Sequence, residues 1–113
     1  MTEKTIIIDR DFTHCPGGRY RRHGEYSGEE FRDDILVPAL EDGDQVIVVL
    51  DGTEGYASSF LEEAFGGLVR ERGYTQEQLR VQLEVRADDP VYLLYKRLAD
   101  QYIRDARAKA AAA

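Results

Sequence analysis

The sequence predicts an α/β fold, a small mixed β-sheet flanked by helices, and two observations carry that expectation. Segments of strand character at Thr5–Ile8, Val46–Leu50 and Arg80–Arg86 alternate with amphipathic helical segments, an order that implies at least some parallel pairing. The 113 residues, 42% hydrophobic and 33% charged, suit one domain with its own core. A chain of this size buries roughly 60–70% of its unfolded surface and needs no metal or disulfide staple.

Each element has a local reason. Thr5-Ile6-Ile7-Ile8 is a β-branched run suited to a strand buried on both faces. From Asp11 to Gly24 the chain collects Pro16, Gly17, Gly18 and Gly24, which reads as a loop or hairpin. Ser27-Gly28-Glu29-Glu30 has the form of a capping box and opens a helix whose apolar positions are Phe31, Ile35, Ala39 and Leu40. Pro38 predicts a kink or early end, and Glu41-Asp42-Gly43-Asp44 closes the element. Val46-Ile47-Val48-Val49-Leu50 is too continuous for a wet face. A second capping box, Ser59-Phe60-Leu61-Glu62, opens a helix lined by Leu61, Ala64, Phe65 and Leu68 and ended at Gly73. Thr75 to Gln78 suits a short capped turn, and Val81, Leu83 and Val85 alternate as a half-exposed strand. Asp89-Pro90 opens the last helix, with Val91, Leu94, Tyr95, Leu98 and Tyr102 as its expected buried stripe.

Charge and cysteine content exclude several function classes. Fifteen basic residues against 22 acidic ones give −7, which argues against broad nucleic-acid or anionic-membrane binding. No apolar run approaches the ~18 residues of a membrane span, and Met1-Thr2-Glu3-Lys4 does not resemble a secretory signal, so a cytoplasmic protein is expected. The single Cys15 forms no internal disulfide, and His14, Cys15 and His23 match no metal-ligand spacing; no metal or other cofactor is expected. Two histidines in one turn-rich segment assemble no nucleophilic triad, so no enzyme activity is expected.

Three features remain as candidates for function. Gly55-Tyr56-Ala57-Ser58-Ser59 lies beyond the carboxyl end of the second strand, a favoured place for a ligand or partner in an α/β fold. With Ser59 assigned to the cap, Ser58 is left over and exposed, and the helix amides beside it attract anions. Gly66-Gly67 inside a helix points to close packing of that helix, or to a groove for a partner. Arg19, Arg21 and Arg22 surround Tyr20 in a basic island that suits a phosphate or, less well given the net charge, a nucleic acid; a solvated hairpin whose arginines answer nearby acids such as Glu25 and Glu29 is the preferred reading over nucleic-acid binding.

The run Val46 to Leu50 followed by Tyr56-Ala57-Ser58-Ser59-Phe60-Leu61 resembles the STAS domain of bacterial anti-sigma-factor antagonists. A closer resemblance, from Ile6 to about Leu98, is to a bacterial STAS-like family of unknown function. It rests on Ser27-Gly28-Glu29-Glu30-Phe31-Arg32 and on Ser58 to Gly67. The resemblance makes residues 1–109 a single STAS-like domain, with Ala110 to Ala113 as a helix end or an appended tail. In the antagonists the serine matching Ser58 is phosphorylated by a partner ATPase of histidine-kinase-like fold, and phosphorylation releases that partner. Ala57 stands where they carry Asp, Phe60 where they carry Gly, and Ser27 where they carry a second acid. The implied function is non-catalytic protein interaction through Tyr56, Ala57, Ser58, Ser59 and Phe60, switched at Ser58. The alternative is a nucleotide or small-ligand sensor that holds phosphate at this helix start or on Arg19, Arg21 and Arg22.

Overall fold

A computed structural model describes residues 2–43 and 45–108. Asp44 at the expected helix stop and the alanine tail at 110–113 lie outside the described residues. Strand β1 (Glu3–Ile7) runs into the short helix α1 (Ile8–Asp11). The segment expected as a loop or hairpin is a loop holding one 3₁₀ turn, Arg21–His23. Gly28–Phe31, a π turn at Arg32–Leu36 and Val37–Asp42 then run on as one helix, α2. After β2 (Gln45–Val49), Ser58–Leu61, a π turn at Glu62–Gly66 and Gly67–Arg70 form α3 in the same way. Helix α4 (Gln76–Gln82), β3 (Leu83–Arg86) and α5 (Leu93–Asp105, opened by a 3₁₀ turn at Pro90–Tyr92) complete the chain.

The sheet has the order β1-β2-β3, and both pairings are parallel, with Ile6, Val48 and Val85 in register. The α/β class therefore holds, while the mixed sheet does not: α2 and α3 each carry the chain back before the next strand. The 11–24 segment supplies no antiparallel partner. Ile6, Val46, Val48 and Val85 enter one core with Phe31, Leu36, Phe60, Phe65 and Leu68 from the helices. Burial on both faces, expected of the first two strands, is corrected for β1, where Thr5 is exposed and Ile7 half-buried; on β2 Val46, Ile47 and Val48 are buried and Val49 is half-buried. Thr5, Ile7, Ile47, Val49, Glu84 and Arg86 alternate onto the opposite face, outside the core cluster, where only Ile47 is buried.

Local chemistry explains further departures. Pro38 does not end α2. The π turn before it, in which the Val37 N–H donates to Arg32 O five residues back, resets the ladder, and Pro38 sits within the first turn that follows. Arg80 to Gln82 belong to α4 rather than to a strand, because the Thr75–Gln78 capping box nucleates a helix through Gln82 and leaves Val81 69% exposed. On α5, Val91 and Leu94 are exposed, and Tyr92, Tyr95, Ala99 and Tyr102 take the inner face. Gly73, at φ +77°, ends the turn after α3 as expected.

Candidate functional site

The loop from Leu50 to Ala57 is tied down before α3 begins. Tyr56 donates its hydroxyl to Leu50 O at 2.7 Å, and Tyr92 donates its own to Thr53 O. The Asp51 carboxylate accepts from the Asp88 and Asp89 N–H groups at 3.0 and 2.6 Å, joining this loop to the start of α5. Helix α3 then starts at Ser58, with Ala57 as its N-cap and no side-chain cap bond. The capping role expected of Ser59 is therefore corrected. Ser59 lies one residue inside the helix, and the Glu62 carboxylate is bound by arginines. Ala57 and Ser58 are exposed, Ser59 is half-buried, and Tyr56 and Phe60 are buried in the core. For Tyr56 and Phe60 the expected place at a partner surface is corrected: both belong to the core, and only Ala57, Ser58 and the half-buried Ser59 are accessible. Burial pushes the Tyr56 phenol well above its ordinary range.

The first turn of α5 flanks this helix start. The Tyr95 ring meets the Tyr56 ring at 5.3 Å, and a side chain on Gly55 (φ +114°) would press on the Tyr95 hydroxyl. Val91 and Leu94, 72% and 61% exposed, lie in the same turn of the chain as Tyr92 and Tyr95. Two bare aliphatic side chains therefore stand at the same end of the molecule as the Ser58 hydroxyl.

Behind the surface, α2 and α3 are locked by charge. The Arg32 and Glu63 side chains are 5% and 3% exposed and pair at 2.5 Å, and the same guanidinium donates to the Glu63 carbonyl at 3.1 Å. Arg19 and Arg70 also reach Glu63, at 3.2 and 3.1 Å, and both hold Glu62, at 2.5 and 2.6 Å. Asp33 is shared by Arg32 and Arg72. Burial alone would raise the Glu62 carboxyl, but hydrogen bonds from Arg70 and Arg19 hold it below the usual carboxylate range. Asp33 is held low against its own burial by Arg32 and Arg72. The glycines make this approach possible. A Cβ on Gly67 would overlap Arg32 Nη1, and one on Gly28 would overlap the Phe60 carbonyl oxygen. Gly66-Gly67 thus serves close packing, against a helix and a buried arginine.

Two of the three arginines of the basic island are held by carboxylates, and only Arg19 joins this network. Arg19 is bound to Glu62 and Glu63, Arg21 clasps Asp34 with two bonds of 2.6 and 3.0 Å, and Arg22 lies 4.5 Å over the Tyr20 ring. The Glu29 carboxylate accepts the Arg21 backbone N–H rather than its guanidinium. His14 pairs with Asp9 at 2.5 Å, which raises its pKa, while a hydrogen bond to Glu54 raises the Cys15 thiol and keeps it protonated at neutral pH. Among the described residues no group of three or more His, Cys, Asp or Glu side chains is placed to hold a metal ion, and no helix is long and apolar enough to cross a membrane.

The profile of a family described as a STAS-like domain of unknown function matches residues 27–92, more than half of the chain. The chain belongs to that STAS-like family. No curated protein and no solved structure matches it. The matched span of this STAS-like domain starts at the Ser27 cap and takes in both π-turn helices, the Arg32–Glu63 pair and the Ser58 helix start. Sequence reasoning missed the pairing itself. Arg32 and Glu63 are 31 positions apart, and the one signal was their presence in the two segments that carry the family resemblance.

Proposed function

We propose that this STAS-like domain is a non-catalytic regulatory module that binds a protein partner through the surface around Ser58. The observation that carries the reading is the Ser58 hydroxyl, exposed on the first residue of α3, committed to no cap, and set at the same end as exposed Val91 and Leu94. An exposed apolar pair at the end of a helical layer is what a partner covers. In the finer form of the reading, a histidine-kinase-like ATPase is the partner and phosphorylates Ser58. A phosphate there adds about −1.5 to −2 charges and is favoured by the helix N-terminus. Glu62, one turn on, would oppose it, but Arg19 and Arg70 already neutralise that carboxylate. The added charge then repels a partner surface that fits the unmodified face.

The sensor alternative has less support, because phosphate binding on the basic loop would have to draw Arg19 and Arg21 from their carboxylates. Titration with ATP and GTP separates the readings, since saturable micromolar binding favours the sensor. The partner reading is tested by quantitative capture from source-cell extract on wild type, Ser58→Ala, Ser58→Asp and Leu94→Asp. It expects a protein retained by the first two and lost from the last two. Equal retention by all four contradicts it.

A further inference from the structure

On the flank of α5 away from α3, a trough of about 530 Å³ runs between α4 and α5. Buried Leu79 and half-buried Leu83 and Ile103 line it, and Arg80 and Arg104 stand exposed at its sides. Neither guanidinium has an ion pair or hydrogen bond among the described residues, whereas Arg10, Arg19, Arg21, Arg32, Arg70 and Arg86 are all matched to carboxylates. Asp100, also in the lining, is occupied by Lys96 at 2.5 Å. The trough thus offers an apolar floor and two uncompensated positive charges in a chain of net charge −7.

The matching chemistry is an aliphatic side chain next to carboxylates, and this chain presents it elsewhere on its own surface. Asp88, Asp89, Pro90 and Val91 are consecutive exposed residues, and Leu94 follows one turn later. We propose that the trough receives the 88–94 segment of a second copy, with Val91 or Leu94 on its floor and Asp88 and Asp89 facing Arg80 and Arg104. The two patches are different surfaces, so the contact is head-to-tail, and unless the rotation closes a ring it leaves a free trough at one end and a free segment at the other. A contact limited to one short segment in one open trough belongs to the weak, transient class. The proposal does not rest on the Ser58 reading. It does make self-association and any partner covering Val91 and Leu94 mutually exclusive.

Analytical ultracentrifugation of the full chain, from about 10 μM to about 1 mM as a weak interface requires, tests it. The weight-average mass of the wild type is expected to rise from 12.9 kDa with concentration and to fall back as salt screens the charges. Two variants alter exposed side chains only: Arg80→Glu with Arg104→Glu blocks the trough, and Val91→Asp with Leu94→Asp blocks the segment. Circular dichroism melts establish that both are folded. Each alone is expected to stay at the monomer mass, and an equimolar mixture to form a dimer of unlike chains that grows no further, since each supplies the half that the other lacks. A wild type that remains monomeric throughout overturns the proposal. So does association of either variant like wild type, or a mixture that stays monomeric, outcomes that leave the trough to a different partner or to none.

Discussion

Helices α2 and α3 share a build and differ at the first turn. Each has four α-helical residues, a five-residue π turn and a further α-helical stretch, and in each an N–H donates five residues back at the same offset, Val37 to Arg32 O and Gly67 to Glu62 O. Each also begins near a Ser-x-x-Glu sequence. At α2 the Ser27 hydroxyl, fully buried, accepts the Glu30 N–H at 3.0 Å, while the Glu30 carboxylate takes the Tyr26 N–H at 3.1 Å rather than that of Ser27, so the expected capping box is made in its serine half only. At α3 the helix starts one residue earlier than Ser59 would place it, and Glu62 faces arginines instead of the helix start. A capping box needs a glutamate with nothing stronger to bind. Two guanidiniums outcompete one backbone amide, because charge-assisted bonds are roughly twice as strong as neutral ones. The helix start left uncapped by its serines is also the one that presents a free hydroxyl to solvent.

The largest effect is expected where the two helices meet. Glu63→Ala leaves the buried Arg32 with Asp33 as its remaining carboxylate and strips Arg19 and Arg70 of one partner, and should cost up to ~3–5 kcal/mol in urea unfolding. Arg32→Met combined with Glu63→Leu should recover most of that loss, since a buried ion pair replaced by packed apolar groups is often near neutral. A double variant as unstable as the single one would show that the pair itself stabilises the crossing of α2 and α3. Gly67→Ala follows, at about 1–3 kcal/mol, because its methyl overlaps a guanidinium pinned by several bonds. A melting temperature unchanged by this substitution would mean that Arg32 has room to move.

A smaller effect is expected on acidification. Glu62 and Asp33 have folded pKa values below their unfolded ones. Their contribution is therefore complete above the ordinary carboxylate range near pH ~4 and is lost as pH falls through the lower folded values. Unfolding midpoints in urea should show no loss from neutral pH down to about 5, with a small gain as the exposed His14 protonates beside Asp9, and drop below about 4. A decline already complete by pH 5 would assign the acid sensitivity to other groups.

The elements legible in the sequence were those with local causes. The Ser27 cap, the Thr75 capping box, the Gly73 stop and Asp89 as the cap before Pro90 each depend on residues within four positions of one another. The close approach at Gly66-Gly67 was legible as well, since glycine pairs inside a helix need a reason. Faces were harder to read. Val81 alternates with Leu83 and Val85 as well in a strand as at the end of α4, and Ile47, though buried, lies on the sheet face outside the core cluster. The charge network was not legible, because Arg19 meets Glu62 across 43 positions and only the fold brings the basic loop onto α3. At the candidate site the exposure of Ser58 at the strand-to-helix turn was legible, although the Ser59 cap from which it was argued is not made. The exposure of Val91 and Leu94 was not, because their spacing matches the stripe of Tyr95, Leu98 and Tyr102, which does pack on the core, whereas Tyr92 and Ala99 take the inner positions expected of Val91 and Leu94.

The comparison of the two helix starts is tested most directly by the smallest change, removal of each serine oxygen in turn. Urea unfolding of Ser27→Ala and Ser59→Ala, measured side by side at neutral pH, should show a loss of ~0.5–2 kcal/mol for the first, as for a lost N-cap, and a change within about 0.5 kcal/mol for the second. Ser58→Ala should behave like Ser59→Ala. Equal losses at Ser27 and Ser59, or a larger one at Ser59, would restore a cap to α3 and contradict a helix start at Ser58 that no serine side chain caps.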